Sequence, residues 1–292
     1  PLYSSAASDV YKRESIDTDR KTLVLDGNES LQYGKLALCV GSKLKRIPQG
    51  DQFKNVFYLR TAADAQKIKR SLHKKKRAVV IGAGYIGLEI SAILRQFGIE
   101  VTIIDLADRV LERVTSQYFS QYVQKLHEEH GVNFMMKTGV SHLEGDTEVK
   151  YVICENGEKL ACDIVFIGIG ITPNVELAKK AGLKVGKGII VDERCQTSEE
   201  DIYAAGDCTQ HYNSFYDKTI TLESVQNAND QGRCAATNIA GNRQNYESLP
   251  WFWSDQYDSK IQMVGLNNVA DEVVVRGDFT ASEKNGFALF YL

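Results

Sequence analysis

The sequence predicts an α/β fold, with two three-layer domains of similar plan and a smaller α+β domain at the C-terminal end. Three observations predict it. A strand, glycine turn, helix and second strand follow one another over residues 77–105. A hairpin followed by a buried strand occurs twice, at residues 21–41 and 150–170. From about Pro250 the chain becomes rich in aromatic residues and short strand patterns.

The glycine-turn unit is the clearest. Ala78-Val79-Val80-Ile81 is a short apolar run suited to a buried parallel strand. Gly82-Ala83-Gly84-Tyr85-Ile86-Gly87 follows. Ile86, Ile90, Ile93, Leu94 and Phe97 then recur at helical spacing and predict a helix, with Gly98 as its stop. Glu100 to Ile104 is the next strand, and Asp105 sits at its tip. This order is a dinucleotide-binding (Rossmann-like) arrangement. Gly82 permits the tight turn, Gly84 lets the backbone approach a pyrophosphate, and Gly87 lets helix and strand pack closely. The helix start offers free N–H groups and partial positive charge to phosphates. Asp105 is placed to accept hydrogen bonds from the adenosine ribose, which favours NADH over NADPH. A glycine turn that binds no nucleotide, and a merely solvated acid at 105, are the competing readings.

Further on, Phe119, Tyr122, Val123 and Leu126 mark a helix stopped by Gly131, and Val132 to Met136 reads as a strand. A hairpin runs from Lys150 to Cys154, turns at Asn156-Gly157 and returns through Leu160. Asp163 to Ile169 is a buried strand closing at Gly168-Ile169-Gly170. The earlier copy has Lys21 to Leu25, a turn at Asp26-Gly27, Leu31 to Tyr33, and Leu36 to Val40 ending at Gly41. Leu31 matches Leu160 and Gly41 matches Gly170, both at an offset of 129. Only the second copy has a glycine-rich opening. An N-terminal strand–helix–strand of the first domain is therefore expected to be cut away, lost or left out.

After Gly170 the chain appears as a return to the first domain. Asp201 to Ala205 is a strand running into Gly206-Asp207, whose carboxylate suits a ribityl hydroxyl of FAD. Ser224 to Ala240 is a helix ended by Gly241. The expected divisions are 1–73 (partial FAD-binding domain), 74–194 (NAD-binding domain), 195–248 (return to the FAD-binding domain) and 249–292 (partial C-terminal domain).

Bulk properties narrow the function classes. Net charge is −3 and 43% of residues are hydrophobic, so neither nucleic acid nor an anionic membrane is an expected partner. Apolar runs are strand-sized, so no membrane-spanning helix is expected. The first residues, Pro-Leu-Tyr-Ser-Ser, show no leader pattern, which points to the cytoplasm. The six cysteines form no CxxC pair, so neither a zinc site nor a redox dithiol of closely spaced cysteines is expected, and reduced thiols are. His211 receives no role.

Several segments together make a resemblance specific. They are Tyr58-Leu-Arg-Thr61 with Asp64-Ala65, Gly82 to Glu89, Ala107 to Val114, Gly168 to Leu177, Ile202 to Cys208, Glu223 to Ala228 and Pro250 to Tyr257. The chain resembles the FAD-dependent NADH:ferredoxin reductases of oxygenase systems, within the pyridine nucleotide-disulfide oxidoreductases. Three features depart from that pattern: the N-terminal FAD fingerprint and the end of the C-terminal domain are missing, and Cys39-Val40-Gly41 stands where Ala-Thr-Gly is usual. The resemblance implies that Arg60, Gly41, Gly206, Asp207, Ser224 and Val225 serve FAD, with the Val225 N–H meeting the flavin pyrimidine edge. It implies that Tyr85, Ile86, Arg113, Gly168, Ile169 and Gly170 join Gly82, Gly84, Gly87 and Asp105 around NAD. It puts Glu89 and Glu223 near the nicotinamide and Trp253 near the isoalloxazine. A helix-surface acid at 89, a solvated cation at 60 and interdomain core at 253 are the alternatives. No side-chain nucleophile and no metal are implied. The implied activity is hydride transfer from NADH to FAD, then single-electron transfer to a [2Fe–2S] ferredoxin. A different acceptor (rubredoxin, a small radical or oxygen) and a non-enzymatic NAD-binding remnant are the other readings.

Overall fold

The computed structural model describes residues 13–25, 29–267, 270, 272–277 and 286–292. The Asp26-Gly27 turn lies outside the described residues. The chain forms two compact units. One joins Pro1–Lys43 to Thr172–Phe252, and the other joins Leu44–Ile171 to Trp253–Leu292.

In the second unit, five parallel strands make one sheet in the order Val56–Phe57, Ile164–Ile167, Arg77–Ile81, Glu100–Ile104, Val132–Met135. All four residues of Ile164–Ile167 are buried, as a strand covered on both faces requires. One core contains Val80, Leu88, Leu94, Ile103, Val123 and Phe166, and Ile261 of the C-terminal segment joins it. The other contains Val79, Ile104, Val152 and Val165. It is covered by an antiparallel sheet of Val140–Gly145, Val149–Cys154 and Lys159–Ala161, whose turn has Gly157 at φ +85°. Buried Asn55 ties the layers together: its amide donates to the Val149 and Asp163 carbonyls at 2.9 and 3.0 Å and accepts from the Val149 N–H at 2.7 Å. The C-terminal segment adds the pairs Trp251–Gln256 with Ser259–Val264 and Val273–Arg276 with Ala288–Tyr291.

The first unit repeats part of this plan. Arg13–Asp17, Thr22–Leu25 and Ser30–Gln32 form a three-stranded antiparallel sheet. Leu36–Leu38 pairs in parallel with Ile202–Ala204. Ile189–Val191 pairs with Thr209–Asn213, which turns back into Lys218–Ile220. The helix Val225–Ile239 is capped by the Ser224 side chain, which accepts from the Asn227 N–H.

The unit boundaries differ from the sequence reading. Residues 56–57 join the five-stranded sheet and residues 189–191 join the other unit, so the compact units divide at 43/44, 171/172 and 252/253 rather than at 73/74, 194/195 and 248/249. The helix Tyr85–Gln96 buries Gly87, Leu88, Ile90, Ser91, Ala92 and Leu94, while Ile86, Ile93 and Phe97 are about half exposed. The small residues Gly87 and Ser91 stack one turn apart, and the Ser91 hydroxyl donates to the Gly87 carbonyl at 2.7 Å. Close approach at these small residues and the apolar bulk of Leu88, Ile90 and Leu94 together make the buried face.

Two buried histidines make stability depend on pH. Burial lowers His127 and His211 to about 4, against about 6.5 in an unfolded chain. Between these values the unfolded chain takes up protons that the fold excludes. Stability is therefore full above about pH 6.5 and falls as pH drops toward 4, by on the order of 3 kcal/mol for each histidine. Urea unfolding followed by fluorescence from pH 7 to 4.5 should show this fall, and His127→Gln and His211→Gln should each flatten it. Parallel pH curves in the parent and both variants would contradict it.

Candidate functional site

The glycine turn between Arg77–Ile81 and Tyr85–Gln96 has three glycines glycine for different reasons. Gly82 adopts φ +112°, and a Cβ there would lie 2.4 Å from the Gly168 carbonyl oxygen. A Cβ on Gly87 would lie 2.0 Å from the Gly82 carbonyl oxygen. A Cβ on Gly84 would meet nothing within 4 Å, although Gly84 has an extended backbone that any residue adopts. Packing thus explains Gly82 and Gly87 and leaves Gly84 unexplained by the protein itself. A cradle that a side chain would fill, at a helix start without a side-chain cap, fits a pyrophosphate.

Asp105 closes this turn from the neighbouring strand. One carboxylate oxygen accepts the Ala83 N–H at 2.6 Å and the other accepts the Ala107 N–H at 2.8 Å. Each oxygen keeps a second acceptor direction for a ribose hydroxyl. Arg113 lies over Gly170, its guanidinium 3.8 Å from where a Cβ would stand. Gly168 and Ile169 lie at the end of the Ile164–Ile167 strand, with Gly168 bonded to the Ile81 carbonyl. Tyr85, on the first turn, has its hydroxyl 2.8 Å from the Met263 sulfur. Ile86 is exposed beside it.

Glu89 is half-buried on the same helix and accepts a hydrogen bond from the Ser254 hydroxyl at 2.5 Å. Burial raises its carboxyl above the usual range, the Ser254 bond opposes that, and nearby Asp255 adds to it. It is therefore not a solvated helix-surface acid. Arg60 is exposed between Val56–Phe57 and the helix Ala62–Ser71, with its backbone N–H donating to Asp64 at 3.2 Å. Trp253 lies on the exposed face of its strand, opposite Ser254 and Gln256.

In the other unit, Asn174 holds the loop after Leu36–Leu38, donating from its backbone to the Gly41 carbonyl at 2.9 Å and from its side chain to the Val40 carbonyl at 2.8 Å. The Ser42 hydroxyl donates to Asp207 at 3.1 Å. Gly206, at φ +85°, donates its N–H at 2.8 Å to the buried Gln231 amide oxygen, which also accepts from Thr209. The Gln231 nitrogen then faces His211 Nδ1 at 3.2 Å, so His211 acts through Gln231 to brace the Gly206-Asp207 turn. Glu223 is exposed just before the Ser224 cap, and Val225 occupies the first helical position with its backbone N–H at the helix start. Ser42, Asn174 and Gln231 carry no sequence signal. Ser254 and Gln256 do carry one, because strand alternation puts them on one face.

The sequence separates all six cysteines, yet Cys195 and Cys234 make a thiol hydrogen bond in the fold. Both are buried, and burial pushes both up, so they remain thiols at neutral pH. Among the described residues no three or more His, Cys, Asp or Glu side chains form a metal-holding group.

A profile for the pyridine nucleotide-disulphide oxidoreductases matches residues 6–232, and a reductase C-terminal profile matches residues 251–292. The chain belongs to the pyridine nucleotide-disulphide oxidoreductase family. Within it, the chain is 41% identical over 285 residues to putidaredoxin reductase from Pseudomonas putida, covering 95% of this chain and 67% of that protein. It is also 41% identical to rhodocoxin reductase from Rhodococcus erythropolis, over 90% of this chain and 62% of the relative. The structure of a covalent putidaredoxin reductase–putidaredoxin complex superposes with a TM-score of 0.92 at 40% identity, over 97% of this chain and 69% of that one. The chain thus spans about two thirds of the relatives it matches.

At these glycines binding and folding place separate demands on the chain. Gly84→Val should leave unfolding by urea unchanged within about 1 kcal/mol, because its side chain enters open space, while weakening NADH binding by at least about tenfold. Gly87→Val should instead lower stability by roughly 3 kcal/mol or more through overpacking against backbone. Isothermal titration and denaturation on both variants check this. Unaltered NADH affinity in Gly84→Val would remove the cradle's assignment.

Proposed function

We propose that this chain is the main part of an FAD-dependent NADH:ferredoxin reductase serving an oxygenase system. The observation that carries the reading is Gly84, a glycine that nothing in the protein requires and that a dinucleotide does. Gly82, Gly84, Tyr85, Ile86, Gly87, Asp105, Arg113, Gly168, Ile169 and Gly170 would hold NADH. Arg60, Gly41, Gly206, Asp207, Ser224, Val225 and Trp253 would hold FAD, with Glu89 and Glu223 near the nicotinamide. FAD, when bound, supplies the conversion between the electron pair of NADH and the single electrons an iron–sulfur acceptor takes. The residues bind and orient: the open helix start at 85 receives phosphate charge, and the start of Val225–Ile239 presents its N–H and partial positive charge to a reduced ring. A [2Fe–2S] ferredoxin as acceptor is supported by the reductase C-terminal profile and by the relatives' names. The buried thiols agree with a reducing cytoplasm. No helix among the described residues is long and apolar enough to cross a membrane.

Acceptor assays on the full-length protein test the reading. Turnover with a [2Fe–2S] ferredoxin should exceed that with glutathione, lipoamide or thioredoxin, and the ferredoxin rate should fall severalfold between about 0.01 and 0.5 M salt as charge attraction is screened. A relative at 35% identity is a rubredoxin-NAD(+) reductase, so faster turnover with rubredoxin would overturn the acceptor. A rate independent of salt would overturn the charged docking.

Asp105 should set the preference for NADH. A 2′-phosphate about 4 Å from it meets a repulsion of about 4 kcal/mol at an effective dielectric of ~20, reduced by solvent to roughly 2–3, or about 30- to 150-fold. Arg109, four residues on, keeps its full charge because its guanidinium is held by neutral partners, the Ser120 hydroxyl and the Glu112 carbonyl, so the exclusion of NADPH is not absolute. Asp105→Asn should narrow the kcat/KM gap between NADH and NADPH chiefly by improving NADPH. Some NADH affinity should also be lost, because an amide has one oxygen for the two N–H groups of Ala83 and Ala107. An unchanged ratio in the variant would sink the assignment.

A further inference from the structure

Behind Glu89 runs a line of polar side chains through an otherwise apolar core, all within the unit Leu44–Ile171 and Trp253–Leu292. Ser254, Gln256 and His127 are each no more than 1% exposed. The Tyr257 hydroxyl lies 3.2 Å from His127 Nδ1, His127 Nε2 lies 2.9 Å from Gln256 Oε1, Gln256 Nε2 lies 3.0 Å from the Ser254 hydroxyl, and that hydroxyl lies 2.5 Å from Glu89.

The inventory of donors fixes the direction of every bond. Gln256 turns its nitrogen to Ser254 and its oxygen to His127, so His127 carries its proton on Nε2. Nδ1 is then an acceptor, and Tyr257 must donate to it. The Ser254 hydroxyl already accepts from Gln256, so its one proton goes to Glu89. Four donors in series therefore point the same way and end on one carboxylate oxygen. Aligned bonds polarise one another in a buried setting, and a hydroxyl that is itself a strong acceptor is a better donor to an anion.

We propose that Tyr257, His127, Gln256 and Ser254 form a one-way hydrogen-bond relay that positions Glu89 and holds it as the carboxylate. Its consequence for the cosubstrate rests on the reading of Glu89 as a nicotinamide neighbour given above. Asp255 and burial act against the ionised form. Tyr85 is the titratable neighbour on Glu89's own helix. Around the far end, His130 stacks on Tyr257 at 3.6 Å, and Arg95 favours the ionised Tyr257 without bringing its phenol below about 12. Burial keeps His127 neutral down to about pH 4, so the relay keeps one direction across the physiological range.

The test is a carbon-13 NMR titration of the Glu89 carboxyl in the FAD-loaded protein, assigned with Glu89→Gln. Ser254→Ala should raise the Glu89 pKa by about one unit, a tenfold change in ionisation constant. His127→Phe removes the Nε2 donor and should raise it by a smaller step, whereas His127→Gln places an amide N–H near Nε2 and should restore the parent value. Tyr257→Phe keeps shape and fold and should give a small rise in the same direction. An unmoved pKa in Ser254→Ala would overturn the relay. A rise in Ser254→Ala with none in Tyr257→Phe and His127→Phe would reduce it to a single hydroxyl and also overturn it. The dissociation constant of NADH measured against pH in the same proteins tests the reading of Glu89 separately. If the carboxyl titrates as expected while NADH affinity ignores it, the relay stands and the placement of Glu89 falls.

Discussion

Everything in the nucleotide-type unit depends on how closely one helix approaches one sheet. The Gly82 carbonyl oxygen occupies the place where a side chain on residue 87 would begin, and the Gly168 carbonyl occupies the place beside Gly82. Three chain segments thus meet backbone to backbone. The contact fixes where the helix Tyr85–Gln96 starts and where its first N–H groups point. It also sets the height of the neighbouring strand tip, because Asp105 reaches across to the Ala83 N–H. Any residue larger than glycine at 82 or 87 would lift the helix from the sheet, and the open space beside Gly84 would lose its shape with it.

The polar interior serves the same end by a different route. Asn55, Gln231 and Gln256 are buried amides. Asn55 joins the start of the central antiparallel strand to the residue before the Ile164–Ile167 strand of the parallel sheet. Gln231 takes the Gly206 N–H that the turn leaves over. Gln256 passes a bond from His127 to Ser254. A buried amide with all its partners made costs little, while the same group out of register costs a desolvation penalty. Such residues therefore select one register where apolar packing alone would tolerate several.

Much of this was legible in the sequence, and the parts that were not share a cause. The glycine turn, the two hairpins and the buried strands announce themselves by local pattern, and the elements Arg77–Ile81, Tyr85–Gln96, Glu100–Ile104 and Ile164–Ile167 stand where that pattern puts them. The family resemblance marked Glu89 but not what binds it. Ser254 is far away along the chain, and its bond exists only because the C-terminal segment packs within the same unit. The same distance hides Ser42 beside Asp207 and the meeting of Cys195 with Cys234. Apolar periodicity located the helix Tyr85–Gln96 but not its buried face, which combines the small Gly87, Ser91 and Ala92 with Leu88, Ile90 and Leu94 and leaves Ile93 and Phe97 outside.

The interleaved connectivity has a consequence for how the protein is made. All five parallel strands of the nucleotide-type sheet lie between residues 56 and 167, and so emerge from a ribosome together. The Leu36–Leu38 strand, by contrast, is paired with Ile202–Ala204. At roughly 5–20 residues per second its partner arrives about ten to thirty seconds later. During that interval one side of a short apolar strand stays open, the kind of edge that recruits strands from other chains. Folding order is thus written into the layout: the five-stranded sheet can assemble first, while each unit waits for its later segment, Thr172–Phe252 for one and Trp253–Leu292 for the other.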